Sequence, residues 1–104
     1  MLYAEDDVVS AQVMSHLLAL LGIETRIAIN GADAVSLYAA ERFALVLLDL
    51  RMPVLDGLAA AREIRRIETV ETRPGIPIVG ITADPASSRR AALEAGLDTL
   101  LLKP

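Results

Sequence analysis

Cysteine is absent from the 104 residues, which excludes disulfides, thiolate metal sites and cysteine nucleophiles and suits a reducing compartment. Positive charge is short: 10 Lys and Arg stand against 14 Asp and Glu, for a net −4. A groove that tracks phosphates needs the opposite sign, so the composition argues against direct nucleic-acid binding. Long hydrophobic runs are missing as well. Although hydrophobic residues make up 54% of the chain, much of that is alanine, and the longest apolar stretch, Leu17 to Ile23, falls far short of the ~18–20 residues a spanning helix needs. Aromatics are only 3%. The acidic Glu5-Asp6-Asp7 follows the start almost at once, so no basic-then-apolar leader is expected. These absences point to a soluble, cytoplasmic domain without membrane contact. The length fits one domain spanning 1–104 and no second.

What is present is an alternation. Short apolar runs with β preference (Leu2–Ala4, Thr25–Ile29, Ala44–Leu48, Ile76–Ile81 and Thr99–Leu102) are separated by helical patterns, the mark of βα units around a parallel sheet. Ala44–Leu48 is apolar at every position, which predicts a central strand covered on both faces. Among the helices, the first sets Val13, Met14, Leu17 and Leu21 on one stripe and ends at Gly22, a left-handed cap. The second is expected over about Ala32–Glu41, after Asn30-Gly31. The third starts after the N-cap Asp56, with Ala60, Ile64 and Ile67 on one face. The fourth is expected over about Ala86–Ala95, with Pro85 near its start and Gly96 at its end. Thr69 to Pro77 reads as an exposed loop.

Carboxylates fall where strands end: Glu5 and Asp6 after the first, Asp49 after the third. Ligands of open α/β sheets bind outside the carboxyl ends of the strands, where the strand order reverses. With strands one and three adjacent, these groups converge. Two carboxylates ~5 Å apart repel by about 3 kcal/mol at an effective dielectric of about 20, so such a cluster calls for a proton or a cation. An all-oxygen site that keeps some waters suits Mg²⁺ better than zinc. Thr82 after the fourth strand and Lys103 after the fifth add a hydroxyl and an ammonium, both able to hold phosphoryl oxygens, which leaves Asp49 as a nucleophile.

The stretches Ala4-Glu5-Asp6-Asp7, Leu48-Asp49-Leu50-Arg51-Met52-Pro53-Val54-Leu55-Asp56-Gly57, Ile81-Thr82-Ala83 and Leu102-Lys103-Pro104 occur in an order and spacing that resemble the receiver domains of two-component signalling. The resemblance covers essentially the whole chain. It implies a flavodoxin-like, doubly wound α/β fold with a five-stranded parallel sheet in the order 2-1-3-4-5. It implies Asp49 as phosphoacceptor, Asp6 and Asp49 as direct Mg²⁺ ligands, Glu5 acting through water and the Arg51 carbonyl completing the protein ligands. Thr82 and Lys103 would bind the phosphoryl oxygens. The implied partner is a sensor histidine kinase or a histidine phosphotransfer domain, and the Glu-Asp pair looks like receivers of hybrid kinases. On that likeness, the domain is no metabolic enzyme and promotes only its own phosphorylation and dephosphorylation.

Some features depart from the family pattern. Leu100 stands where many members place an aromatic switch residue, three positions before the lysine. The pattern ends at Pro104, before the fifth helix the family carries, which predicts apolar residues of the first and third strands and a flank of the first helix left open to self-association.

Other readings of single residues compete. A lone His16 on a helix flank reads as an ordinary surface residue. Arg62, Arg65 and Arg66 alternate with Glu63 and Glu68, as on a solvated helix face. Met52-Pro53 reads as turn chemistry, and Gly57 as a permissive backbone position. Val9 and Leu20 lie off the apolar stripe, as plain surface residues or as part of a docking face for a helical bundle. A phosphorylation-independent interaction module on the same fold is the alternative function. An aspartyl-phosphate hydrolase of the haloacid dehalogenase type would need a second Asp two residues after the nucleophile, where this chain has Arg51.

Overall fold

Among the residues described, 1–52 and 54–103, the computed structural model holds five strands and four helices in strict alternation. They are β1 (Leu2–Ala4), α1 (Val8–Leu20), β2 (Arg26–Ala28), α2 (Gly31–Ala40), β3 (Val46–Asp49), α3 (Gly57–Val70), β4 (Ile78–Thr82), α4 (Arg89–Ala95) and β5 (Thr99–Leu102). All pairings are parallel, in the order β2-β1-β3-β4-β5, with β3 at the centre as its unbroken apolar run predicts. The prolines of the Met52-Pro53 turn and of the Lys103-Pro104 motif lie outside the described residues.

Alternation along the strands sorts the side chains into two layers. Leu2, Ala4, Val46, Leu48, Ile78 and Leu100 face the layer formed by α2, α3 and α4, and make one core with Ala34, Tyr38, Ala60, Ile64 and Ala92. Each fully buried Leu, Ile or Val there contributes roughly 1.5–3 kcal/mol. Ala60, Ile64 and Ile67 of α3 are buried, as their spacing requires. Gly57 matters for space: a Cβ there would lie 2.6 Å from the Asp49 carbonyl oxygen, because the first turn of α3 abuts the end of β3.

Several sequence expectations need correction. Three strands are shifted or trimmed at their ends, because pairing partners rather than apolar runs set them. β2 is limited to the residues that face β1, and β3 starts at Val46 opposite Leu2 and Ile78. Strand β4 begins past Pro77, which has no N–H to give a ladder, though the Pro77 carbonyl accepts from the Val46 N–H at 3.0 Å.

Helix α4 starts at Arg89, three residues later than expected, since Ser88 is its N-cap and accepts from the Ala91 N–H at 3.0 Å. Ahead of it, Pro85 to Ser87 form a turn on Asp84, whose carboxylate accepts from Ala86 at 2.9 Å and whose carbonyl accepts from Ser87 at 3.1 Å.

The apolar stripe of α1 is covered only at Met14, which is half-buried. Only Ala11 is buried, whereas Val13, Leu17 and Leu21 are exposed. The helix still ends as its sequence directs, with Gly22 at φ 80° and the Ile23 N–H on the Leu18 carbonyl at 2.9 Å. Strand β1 is wholly buried, contrary to expectation, Tyr3 included. The open part of that sheet face is instead Leu101, with Ile81 and Val79 half-buried.

The arginine-glutamate stretch of α3 is no plain solvated face. Glu68 is buried and accepts from the Tyr38 hydroxyl at 2.9 Å, the Ile76 N–H at 3.1 Å and Arg65. Arg65 also reaches Asp98 at 2.8 Å and the Gly96 carbonyl at 2.9 Å. The loop after α3 is likewise anchored: Arg73 donates to the carbonyls of Tyr38 and Ala39 at 2.6 and 2.9 Å.

Candidate functional site at the carboxyl ends of the strands

The parallel register delivers the predicted side chains to one edge of the sheet. Glu5 is the first residue past β1, and its N–H still pairs with the Ala28 carbonyl at 2.9 Å. Asp49 closes β3 opposite Ile81, and Thr82 closes β4 opposite Leu102. Lys103 follows β5, its backbone N–H on the Thr82 carbonyl at 2.6 Å. Strand order reverses at β1 and β3, so the crevice opens where Glu5, Asp6 and Asp49 meet.

Carboxylate oxygens of Glu5, Asp6 and Asp49 lie within 4.8 Å of one another. Glu5 and Asp49 are buried and Asp6 is exposed. The Lys103 ammonium bridges the two buried groups, 2.8 Å from Asp49 Oδ2 and 3.2 Å from Glu5 Oε1. Asp49 Oδ1 accepts the Arg51 N–H at 3.0 Å. Glu5 Oε2 is buried without any partner. Tyr3, two residues upstream, turns its hydroxyl toward Glu5 Oε1 at 3.5 Å.

These contacts set the protonation states. Burial, then the neighbouring Asp49 carboxylate, pushes Glu5 up to about 7, against the pull of Lys103. Burial also works on Asp49, but the Glu5 carboxyl, Lys103 and the Arg51 amide outweigh it and hold Asp49 below the usual carboxylate range. Burial would lower Lys103, yet Asp49 and Glu5 push it up to about 12. Burial, with Glu5 next, raises the Tyr3 phenol to about 12.

Thr82 is buried and is not in contact with the acidic cluster through its hydroxyl. Thr82 Oγ1 sits 2.9 Å from Ser87 Oγ and accepts the Asp84 N–H at 3.1 Å. The Arg51 side chain extends to Asp84 at 3.7 Å, both groups well exposed. His16 is exposed on α1, in a groove of about 540 Å³ shared with Gln12, Ile27 and Glu5. Two contributors escaped the sequence reading, Tyr3 and Ser87. Tyr3 sits inside a strand run that reads as core, and Ser87 falls within the span where the sequence predicts the fourth helix.

The response regulator receiver domain family model matches residues 1–104. The chain belongs to this family. This receiver domain is 33% identical, over 99% of its length, to part of the peroxide stress-activated histidine kinase mak1 of Schizosaccharomyces pombe, and 40% identical to part of hybrid signal transduction histidine kinase G of Dictyostelium discoideum. It spans only 6% and 3% of those two proteins. Among solved structures, the Ssk1 receiver domain of Saccharomyces cerevisiae, crystallised with the histidine phosphotransfer protein Ypd1, matches with a TM-score of 0.89 at 31% identity. That match covers 99% of this chain and 77% of the other. The receiver domain of sensor histidine kinase PA1611 from Pseudomonas aeruginosa, with magnesium coordinated in its active site cleft, matches at 0.85 and 36%, covering 99% and 83%. No helix among the described residues is long and apolar enough to cross a membrane.

Proposed function

We propose that this receiver domain takes a phosphoryl group from a partner phosphohistidine onto the Asp49 carboxylate and later loses it to water. The observation that carries this reading is the environment of Asp49: a buried carboxylate kept ionised by Lys103 on one oxygen and the Arg51 N–H on the other. In the transfer, an Asp49 oxygen forms the new P–O bond as the P–N bond breaks, and the imidazole nitrogen keeps the electron pair. Positioning and charge neutralisation do most of the work in such a step. Lys103 moves with its charge from the carboxylates toward the phosphoryl oxygens, and Thr82 offers its hydroxyl to them.

The donor set fits Mg²⁺. It is all oxygen, and the partnerless Glu5 Oε2 is a buried acceptor in want of a donor or a cation. Asp6 and Asp49 would hold the ion directly, with Glu5 through water and the Arg51 carbonyl. When bound, Mg²⁺ neutralises charge on the transferred group. On this reading the domain works in the cytoplasm and promotes its own phosphorylation and dephosphorylation only. Its donor is a histidine kinase or a histidine phosphotransfer domain, for which the exposed apolar residues of α1, among them Val9, Val13 and Leu17, offer a docking face.

Incubation with acetyl phosphate or phosphoramidate and Mg²⁺ tests the reading. A single base-labile phosphoryl group on Asp49 is expected, lost in Asp49→Asn and slowed in Lys103→Ala. Label on His16, or none at all, overturns it and leaves a phosphorylation-independent interaction module.

A further inference from the structure

We infer that Ser87 is a positioning residue for phosphoryl capture, its hydroxyl directing the single proton of Thr82 into the acidic pocket. This rests on the phosphoacceptor reading above and adds a residue to it. The starting point is the hydrogen-bond inventory of Thr82. Its hydroxyl owns one proton and two acceptor sites, and the residue is buried, so bulk water does not orient it. One acceptor site is filled by the Asp84 N–H at 3.1 Å. The other polar neighbour of Thr82 Oγ1 is Ser87 Oγ at 2.9 Å, a pair in which either oxygen can donate.

An anion in the pocket decides the direction. If Thr82 donates to Ser87, it turns a lone pair toward the phosphoryl oxygens and repels them. If Ser87 donates to Thr82, both acceptor sites of Thr82 are filled, and its proton is left for the phosphoryl group. The resulting chain, Ser87 O–H to Thr82 O–H to phosphoryl oxygen, has every donor used, and each bond polarises the next. Ser87 touches no reacting atom and acts through Thr82.

The local fold is built to present this hydroxyl. Pro85 fixes one backbone angle of the turn, and Asp84 ties the Ala86 and Ser87 amides back to itself. Ser88 caps α4, so Ser87 lies just outside the helix, half-buried, and faces β4. Two adjacent serines therefore divide two tasks: one holds the helix end and the other orients Thr82.

Rates of phosphorylation by phosphoramidate with Mg²⁺, measured for the wild type, Ser87→Ala, Ser87→Thr, Thr82→Ala and the Ser87→Ala/Thr82→Ala double variant, test the inference. Ser87→Ala should be about fivefold slower, the rate equivalent of one modest hydrogen bond, with its urea midpoint within error of wild type. Ser87→Thr, which keeps the hydroxyl, should restore the rate. In the Thr82→Ala background the Ser87→Ala change should have no further effect, because the group it orients is gone. An undiminished rate in Ser87→Ala, or an equal loss in both backgrounds, overturns the role of Ser87 while leaving Asp49 as acceptor. A wild type that takes no label overturns both.

Discussion

Removing the Lys103 ammonium while keeping its bulk, as in Lys103→Met, is the most direct perturbation of the acidic pocket. Lys103 Nζ lies 2.8 Å from Asp49 Oδ2 and 3.2 Å from Glu5 Oε1. At an effective dielectric of about 20, those attractions are about 6 and about 5 kcal/mol before desolvation is charged against them. Asp49 and Glu5 oxygens no more than 4.8 Å apart repel by at least about 3 kcal/mol on the same scale. Breaking a buried pair from one side costs ~3–5 kcal/mol. The Lys103 side chain is 30% exposed, so water recovers part of this, and a loss of about 2–3 kcal/mol is expected in metal-free protein near pH 8.

The pH dependence sharpens the test. Glu5 is raised from 4.5 to about 7 in the folded state, so between those values the native protein binds more protons than the unfolded chain. Glu5 therefore favours folding below pH 4.5, and that contribution is lost as pH rises through 7. Lys103 pulls Glu5 down, and without it Glu5 titrates higher still. At pH 5 Glu5 is already neutral in both proteins, and only Asp49 misses its cation. At pH 8 both carboxylates do. Urea denaturation followed by far-UV circular dichroism in EDTA should show a larger deficit for Lys103→Met at pH 8 than at pH 5, partly recovered by saturating Mg²⁺. A variant as stable as wild type at pH 8, or one worse off at pH 5, would refute the bridging geometry.

Calorimetric titration should find one saturable Mg²⁺ or Mn²⁺ site whose affinity climbs from pH 5 to pH 7 as Glu5 sheds its proton, since ligands bind metal deprotonated; a pH-independent affinity would contradict the buried, protonated Glu5. Arg51 and Asp84, paired across the pocket mouth at 3.7 Å, should govern access of the attacking water. Replacing either by alanine is expected to change the dephosphorylation rate without altering the fold, and unchanged rates in both single variants and the double variant count against it. Glu68→Ala strands the Tyr38 hydroxyl, the Ile76 N–H and Arg65 together, so a loss of about 2–4 kcal/mol is expected in chemical denaturation; a loss below about 1 kcal/mol, the worth of a single surface pair, would show the network to be ornamental.

Local chemistry made most of the fold legible in the sequence. Apolar runs of strand length, the N-cap Asp56, Asn30-Gly31 ahead of the second helix, and Gly22 at a helix end each act over a few residues, so they can be read without knowing what lies across the sheet. The placement of Glu5, Asp49, Thr82 and Lys103 at strand ends was legible for the same reason. Only tertiary structure decided how those groups meet. Lys103 lies 98 positions from Glu5, and its ammonium reaches both buried carboxylates only because β1, β3, β4 and β5 align in register. That bridge and the burial of Glu5, not its residue type, set its proton affinity. Glu68 and Arg65 read as surface charges until the segment after α3 and the α4–β5 turn close over them. The α1 stripe reads as core by its period, yet burial needs a second surface, and nothing among the described residues packs on Val13 or Leu17 as the other helices pack on the core. Periodicity along one chain segment specifies which side chains share a face; what that face meets depends on contacts distant in sequence.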